Sequence, residues 1–205
     1  FFCGLVLCLW IGYTQAQPIS FPFTNATPAE NGVTVIGAGF GSIPAARVTF
    51  GPIPTADTYE GATGGYGMII QANPGEGVMI LTNPIQTDRC ALIRCAIRAS
   101  AAHVSAYIAT IDQGQDIFVS TITTNNSQYF LNRYNRLAGV FMPPSTGFQG
   151  IVQIINTSQS LALTVYIDNL EIIFSSADRL DFAVSDFAPN PVVPTPTPTD
   201  TATQT

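Results

Sequence analysis

The sequence predicts an all-β fold, an antiparallel sandwich or barrel, on three observations. Its interior consists of short runs in which apolar and polar residues alternate with a period of two, the spacing of a half-buried strand. Gly, Pro, Asn and Asp separate these runs. No segment carries an apolar stripe with the 3.6-residue spacing of a helix over three turns. About ten short strands without helices are typical of these two architectures.

The alternating segments predict the strands one after another along the chain. In order they are 33–36, 46–50, 66–72, 77–82, 90–98, 103–111, 116–122, 128–132, 137–142, 150–156 and 161–174. Turn residues separate them, as in Asn73-Pro74-Gly75 after the third strand, Asp112-Gln113-Gly114 after the sixth and Pro143-Pro144-Ser145 after the ninth. Residues 175–187 also alternate, which favours a last edge strand over a helix.

The composition excludes several classes of protein. Of the 205 residues, 46% are hydrophobic and 10% are charged, so the chain can form a sizeable core and is not intrinsically disordered. The formal net charge is −6 and the seven cationic residues are all Arg, which is not the electrostatic footprint of a nucleic-acid binder. A single His leaves no His cluster for a metal or a catalytic site.

The two ends of the chain differ in composition from the middle. Residues 1–16 combine an apolar run with small residues before Gln17, which is typical of a secretory signal peptide, truncated here because no Met or basic segment precedes Phe1. A membrane anchor is the alternative, although its apolar run is shorter than the about 20 residues that a span needs. Residues 188–205 are rich in Thr and Pro, typical of an extended linker or stalk. We therefore expect an exported chain with one domain over 17–187 and a further domain beyond the linker.

The alternation assigns side chains to the two faces of each strand. In 90–98, one face carries Ala91, Ile93, Cys95 and Ile97, and the other carries Leu92, Arg94, Ala96 and Arg98. Cys90 and Cys95 lie about 16 Å apart along this strand, too far for a disulfide without a bulge or turn, so we expect free thiols. One face of each strand is expected to cover the core, and the other to face water or a ligand.

Two segments resemble the galactose-binding-like jelly rolls, a group that contains many carbohydrate-binding modules. Residues 77–84 end a Gly-rich pair of strands, and 164–172 (TVYIDNLEI) is similar to the strand that closes these domains. The similarity covers roughly residues 28–175. The resemblance implies a jelly-roll sandwich that is a non-catalytic module of a secreted or cell-surface protein and that binds a glycan or surface polymer.

The resemblance also implies a structural calcium ion. Asp168 matches the Asp of the closing strand that is among the calcium ligands of many relatives. Calcium takes six to eight oxygen ligands, and Glu30 and Glu60 are the acids of the N-terminal strands that could join Asp168. The alternative is that Asp168 ends a strand and binds backbone amides in the turn with Asn169.

Sugar-binding relatives stack sugar rings on exposed aromatic side chains, which implies a site built on tyrosines here. The chain departs from the family because its one Trp lies in the predicted signal peptide. Tyr107 and Tyr166 are on outward faces, and Tyr107 would form one polar, aromatic patch with Arg94, Arg98 and His103 if the strands at 90–98 and 103–111 are neighbours. Arg supplies a planar donor fork for hydroxyls or a carboxylate. The alternative is an ordinary solvated sheet face.

Catalytic motifs are not evident in the sequence. The Gly-rich segment 37–42 is not followed by a helix or a P-loop Lys, and His103 is not accompanied by a G-x-S-x-G elbow. The acidic residues do not stand in a context that indicates a cleft. We therefore expect a binding module without enzymatic activity, and the alternative is a structural or assembly domain of a cell-surface protein that has no small-molecule site.

Overall fold

The computed structural model describes residues 18–21, 23–37, 43–54, 65–87, 89–112, 115–117, 131–132, 134–142 and 147–175. The predicted signal peptide (1–16), linker (188–205) and last edge strand after Ser175 lie outside these residues, and so does Glu60. In the described ranges, no helix has the length and apolar character needed to cross a bilayer.

The described strands form two antiparallel sheets packed face to face. In chain order the elements are β1 (Ile19–Phe21), a 3₁₀ helix (Ala29–Asn31), β2 (Val33–Gly37), β3 (Arg47–Ile53), β4 (Gly65–Ala72), β5 (Gly77–Thr82), β6 (Ala91–Ala99), β7 (Val104–Asp112), β8 (Gln115–Ile117), β9 (Asn135–Phe141), β10 (Gln149–Asn156) and β11 (Leu163–Phe174). Sheet A has the order β3-β4-β11-β6-β9, with β1 also paired to β11, and sheet B has the order β2-β5-β10-β7-β8. The predicted all-β antiparallel sandwich is confirmed.

Most predicted strands agree with the observed ones to within three residues at each end. The prediction missed β1 because three residues are too few to show alternation, and this strand is defined by its pairing of Ile19 with Ile172. Of the predicted strand 128–132, the described part is Leu131, in an isolated bridge with Ala99, and Asn132.

The hydrophobic core lies between the two sheets, where the inward rows of both sheets meet. The predicted inward residues of β6 are all buried in it, and so are Val104, Ala106 and Ile108 of β7. Burying a large aliphatic side chain contributes about 1.5–3 kcal/mol, so these rows are the main source of stability. Cys90 and Cys95 are free, as expected, and both are buried.

Strand β11 organises sheet A. It pairs with β6 along one edge, and along the other edge it pairs first with β4 and then with β1. Asp168 is opposite Ala96 and Glu171 is opposite Arg94, so β11 contains one extra residue between these pairs, a β-bulge. Asn169 has a φ of 46°, the left-handed conformation that Asn tolerates better than most residues.

Candidate functional site

The side of sheet A that faces away from the core, here called the outer face, carries most of the predicted site residues. Tyr166 of β11 is directly opposite Arg98 of β6 and Ile69 of β4. One row further along the same face, Thr164 is opposite Gln71, and Gln71 is opposite Arg47 of β3. Successive rows on one face are about 7 Å apart. Tyr166 and Arg98 therefore adjoin a polar row formed by three neighbouring strands.

Arg98 lies between two tyrosines. Tyr166 is its cross-strand partner, and on the other side its guanidinium carbon is 5.9 Å from the centroid of the Tyr134 ring. This distance is within the range of a cation–π interaction. Ala96 is small enough for Tyr134, Tyr166 and Ile69 to pack together in an apolar cluster on this face. The aromatic rings are thereby fixed beside a cation.

Arg94, four residues before Arg98 and on the same face, forms an ion pair. Its Nε donates to Oε2 of Glu171 at 2.8 Å, and its second guanidinium nitrogen lies 2.8 Å from the same oxygen. The two side chains are 21% and 26% exposed. Charge-assisted hydrogen bonds of this length are stronger than neutral ones, so the pair orients both side chains on the face.

A cleft of about 440 Å³ opens at the end of sheet A next to the Thr164 row. Its lining comes from three strands (β3, β4 and β11) and from connecting segments: Ala45, Arg47, Gln71, Ala72, Asn73, Glu76, Ser100, Ala162, Leu163 and Thr164. This volume is within the range of about 300–1,000 Å³ that is usual for small-molecule sites. The prediction from sequence missed Arg47, Gln71 and Glu76 because their proximity depends on the pairing of distant strands.

Hydrogen bonds hold the walls of the cleft in place. The carboxylate of Glu76 accepts from the backbone N–H of Asn73 at 2.8 Å and from its side-chain amide at 3.1 Å. The buried Asn156 amide donates to the carbonyls of Ala72 (3.0 Å) and Leu161 (2.8 Å), and so joins the end of β4 to the segment that precedes β11. The cleft is thus formed by a fixed backbone.

The structure corrects the predicted patch of Tyr107 with Arg94, Arg98 and His103. Tyr107 lies on the outward face of sheet B, opposite Gln153 of β10, because the chain crosses from one sheet to the other between β6 and β7. His103 is in that crossing rather than in a strand, where its carbonyl accepts from the N–H (2.8 Å) and hydroxyl (2.9 Å) of Thr157. The condition for that patch, that β6 and β7 are neighbours, is not met, and of the five predicted residues Arg94, Arg98 and Tyr166 share a face.

The acids predicted as calcium ligands are not assembled as a set in the described part of the chain. Asp168 is 1% exposed, and its Oδ1 accepts from the backbone N–H of Asn169 at 2.8 Å. Glu30 binds locally, where its Oε2 accepts from the N–H (3.2 Å) and hydroxyl (2.7 Å) of Thr27. Among the described residues, no three Asp, Glu, His or Cys side chains are grouped as a metal site. These residues do not by themselves fit the ion, and the calcium site stays a prediction.

The chain has no match among family models or among curated proteins, and its similarities are to solved structures. It is similar over 71% of its length to TmCBM61 in complex with β-1,4-galactotriose, with 10% identity, a TM-score of 0.50 and 93% of that chain covered. Over 80% of its length it is similar to the CBM22-1–GH10 modules of Clostridium thermocellum endo-1,4-β-D-xylanase 10B complexed with xylohexaose, with 7% identity and a TM-score of 0.50. The fold is that of the carbohydrate-binding jelly rolls. The resemblance noted from the sequence is therefore confirmed for the fold.

Other solved structures place the same fold within larger proteins. The arabinose-bound MgGH51 α-L-arabinofuranosidase has a TM-score of 0.51 and 9% identity over 76% of this chain. This chain covers 25% of that protein and 30% of the xylanase chain. The jelly roll thus corresponds to one part of each of these two proteins.

Proposed function

We propose that this chain is a carbohydrate-binding module and that it binds glycan on the outer face of sheet A. The observation that carries the proposal is the position of Tyr166 and Arg98 beside the cleft lined by Arg47, Gln71 and Thr164. The fold likeness to TmCBM61, whose structure contains a galactotriose, supports a saccharide as the ligand.

The chemistry of this face suits a sugar ring. The C–H face of a pyranose is apolar and packs on an aromatic ring such as Tyr166, which presents an apolar body and a polar hydroxyl. The hydroxyl groups at the ring edge need hydrogen-bond partners, and Arg98 beside it supplies a fork of donors. Gln71 and Thr164, one row away, offer both donors and acceptors to the next sugar unit.

We also propose that the module is exported and serves a larger protein. This rests on the composition of residues 1–16, typical of a signal peptide, and of the Thr/Pro-rich segment 188–205. A binding module on a linker would keep a second domain close to a polysaccharide surface and raise its effective concentration there.

The test is a glycan array with the purified chain, followed by calorimetric titration of the glycans that bind. We expect Tyr166→Ala to weaken binding by about tenfold or more, equivalent to about 1.4 kcal/mol, because the platform for the ring is removed. The matched control is Tyr66→Ala, which removes a tyrosine that is 50% exposed and lies outside the site. This control is expected to bind as the unchanged chain does.

Two results would contradict the proposal. Loss of binding in Tyr107→Ala, with Tyr166→Ala unaffected, would move the site to sheet B, where Tyr107 lies opposite Gln153. Absence of binding to every glycan on the array would overturn the binding function and favour the alternative of an assembly domain.

A further inference from the structure

Strand β2 forms an open edge of sheet B. It is the first strand in the order β2-β5-β10-β7-β8, so over the described residues no strand pairs with its other side. Its inward residue Val35 is partly exposed, whereas Ile80, its partner in β5, is fully buried. Ile36, which points to the outward side, is 45% exposed. The side chains at this edge are therefore accessible to another molecule.

The ladder between β2 and β5 determines which backbone groups point to the open edge. The N–H of Asn83 donates to the carbonyl of Gly32 at 3.2 Å, and hydrogen-bonded pairs alternate along an antiparallel ladder. Thr34 and Ile36 therefore exchange their hydrogen bonds with β5. The N–H and carbonyl of Val35 point away from β5, to the open edge.

The other edge strands of the sandwich have features that hinder pairing with a second chain. Charged residues, prolines, short length and cover all protect edge strands in this way. β3 contains Arg47 and Pro52, β8 contains Asp116, β1 has three residues, and β9 is buried on both faces. The sequence of β2 is VTVIG, with no charged residue and no proline. Among the described edge strands, β2 is therefore the one open to pairing.

We propose that β2 pairs in antiparallel orientation with the β2 of a second copy of this chain, on a two-fold axis at Val35. In this register the N–H of each Val35 donates to the carbonyl of the other Val35. The N–H of each Gly37 donates to the carbonyl of Val33 in the other copy. The N–H of Val33 takes no part, because it already donates to the carbonyl of Pro28 at 3.1 Å. Two five-stranded sheets thereby become one sheet of ten strands.

The side chains of β2 suit a second copy of the same strand. On the outward side, Thr34 of each copy is opposite Ile36 of the other, and a Thr beside an Ile is a favourable cross-strand neighbour. On the inward side, the partly exposed Val35 covers its own counterpart and so extends the core. The chain has a net charge of −6, yet this strand is uncharged, so no like charges meet directly across the pair.

The symmetry of this pairing has a consequence for the proposed glycan-binding face. A two-fold axis perpendicular to the sheet leaves the outward direction of both copies unchanged, so the outer faces of both A sheets point to the same side. If the proposed function holds, which this consequence alone assumes, the dimer binds one polysaccharide surface through two sites. Linked sites of this kind bind more tightly than either site alone.

The first test is sedimentation equilibrium of the purified chain in about 500 mM salt, which screens the net charge. The interface is small, so we expect the average mass to rise from that of the monomer at about 5 µM toward twice that value at about 500 µM. Hydrogen exchange followed by NMR then locates the interface. Exchange of the Val35 N–H is expected to slow about fivefold or more over this range, because the N–H is bonded only in the dimer. Exchange of the Ile36 N–H, which is bonded to β5 in both states, is the internal control.

The second test places a charge on the edge. Ile36→Lys is expected to keep the chain monomeric, because Lys on an edge strand hinders pairing. The matched control is Leu161→Lys, which makes the same change at a side chain that is 53% exposed, between β10 and β11. It is expected to dimerise as the unchanged chain does. Thermal melts establish that both variants are folded, and the exchange measurement on the unchanged chain needs no variant.

Three results would overturn the proposal. They are a monomer mass at every concentration, a dimer in which exchange of the Val35 N–H is unchanged, and equal weakening by Ile36→Lys and Leu161→Lys. The last result would mean that net charge rather than the edge controls association. Glycan binding by a strictly monomeric chain would leave the proposed function standing.

Discussion

Neighbouring aromatic side chains restrict Arg98, one of the residues of the proposed binding face. Its guanidinium is 5.9 Å from the Tyr134 ring and its strand partner is Tyr166, so both flanks are occupied by aromatic side chains. A cation–π contact is worth about 0.5–1 kcal/mol at exposed sites. It also restricts the rotamers of a long side chain, and a restricted side chain loses less entropy when a ligand binds.

Asp168 has a structural role that does not depend on a metal ion. Its Oδ1 accepts from the N–H of Asn169, the residue with left-handed backbone in the bulge of β11. We expect Asp168→Ala, measured by urea unfolding in EDTA, to lower the free energy of unfolding by about 1–3 kcal/mol because this N–H loses its acceptor. An unchanged free energy of unfolding would show that the bulge holds without this hydrogen bond.

The same residue allows the predicted calcium site to be tested separately. If Asp168 is a calcium ligand, calcium raises the melting temperature of the unchanged chain above its value in EDTA, and Asp168→Asn removes this rise. Glu30→Gln is expected to keep the rise, because the Glu30 carboxylate binds Thr27 at 2.7 Å. Identical melting temperatures in EDTA and in calcium would show that calcium does not stabilise this fold.

At the scale of strands, a pair of facing glycines on β3 and β4 allows a prediction about how closely neighbouring chain segments pack. A Cβ on Gly67 would lie 2.7 Å from the backbone oxygen of Ile167 and 2.7 Å from the Cδ1 of Ile53, whereas a Cβ on Gly51 would meet only the Cδ1 of Ile69, at 3.7 Å. We therefore expect Gly67→Ala to lower the free energy of unfolding by about 1–3 kcal/mol, as overpacking does.

Gly51→Ala is the matched control, because Gly51 is directly opposite Gly67 and has room for a methyl group. It is expected to be neutral or to stabilise the protein by about 0.4–1 kcal/mol, since Ala has less conformational freedom than Gly when unfolded. Urea unfolding of both variants gives the comparison. Equal effects of the two substitutions would mean that β3 and β4 adjust freely and that the close approach at Gly67 is not a constraint.

Strand faces could be predicted from the sequence, because alternation is a local property. The row of Ala91, Ile93, Cys95 and Ile97 was assigned inward and is buried. Even the bulge has a local signal that the prediction did not use. Before the bulge the inward residues Val165 and Ile167 have odd numbers, and after it the inward residues Leu170, Ile172 and Phe174 have even numbers. The alternation therefore shifts by one position at Asp168 and Asn169.

Sheet membership could not be predicted, because it depends on which distant strands pair. From β4 to β7 the chain alternates between sheets A and B, so strands that follow one another in sequence lie in different layers. This alternation places Tyr107 in sheet B, away from Arg94 and Arg98 in sheet A. The same long-range pairing brought Arg47, Gln71 and Thr164 into one row, and no spacing in the sequence indicates that contact.

For the whole molecule, the two outward faces have different chemistry. The outer face of sheet A carries Tyr166 with Arg47, Arg94, Arg98 and Arg136. The outward face of sheet B has an apolar cluster of Met79, Ala109 and Ile151, with Leu81, Tyr107 and Ile111 packed against it. Over the described residues, the two outward faces therefore differ in polarity.

The exclusion of water from the core between the two sheets can be tested through the pH dependence of global unfolding. Cys95 is a free thiol, 1% exposed, in the inward row of β6, and burial raises its pKa above the usual value of 9.0 because the low-dielectric interior disfavours the thiolate. Above that usual value the unfolded chain releases this proton and the folded protein keeps it, so the unfolded state binds fewer protons and stability falls as the pH rises. The contribution of one such thiol is at most about 1.4 kcal/mol per pH unit.

Urea unfolding from about pH 8 to about pH 10 should show a steeper loss of stability for the unchanged chain than for Cys95→Ala, which lacks the titrating group. Parallel curves would mean that the thiolate forms inside the folded protein, and therefore that water reaches the space between the sheets.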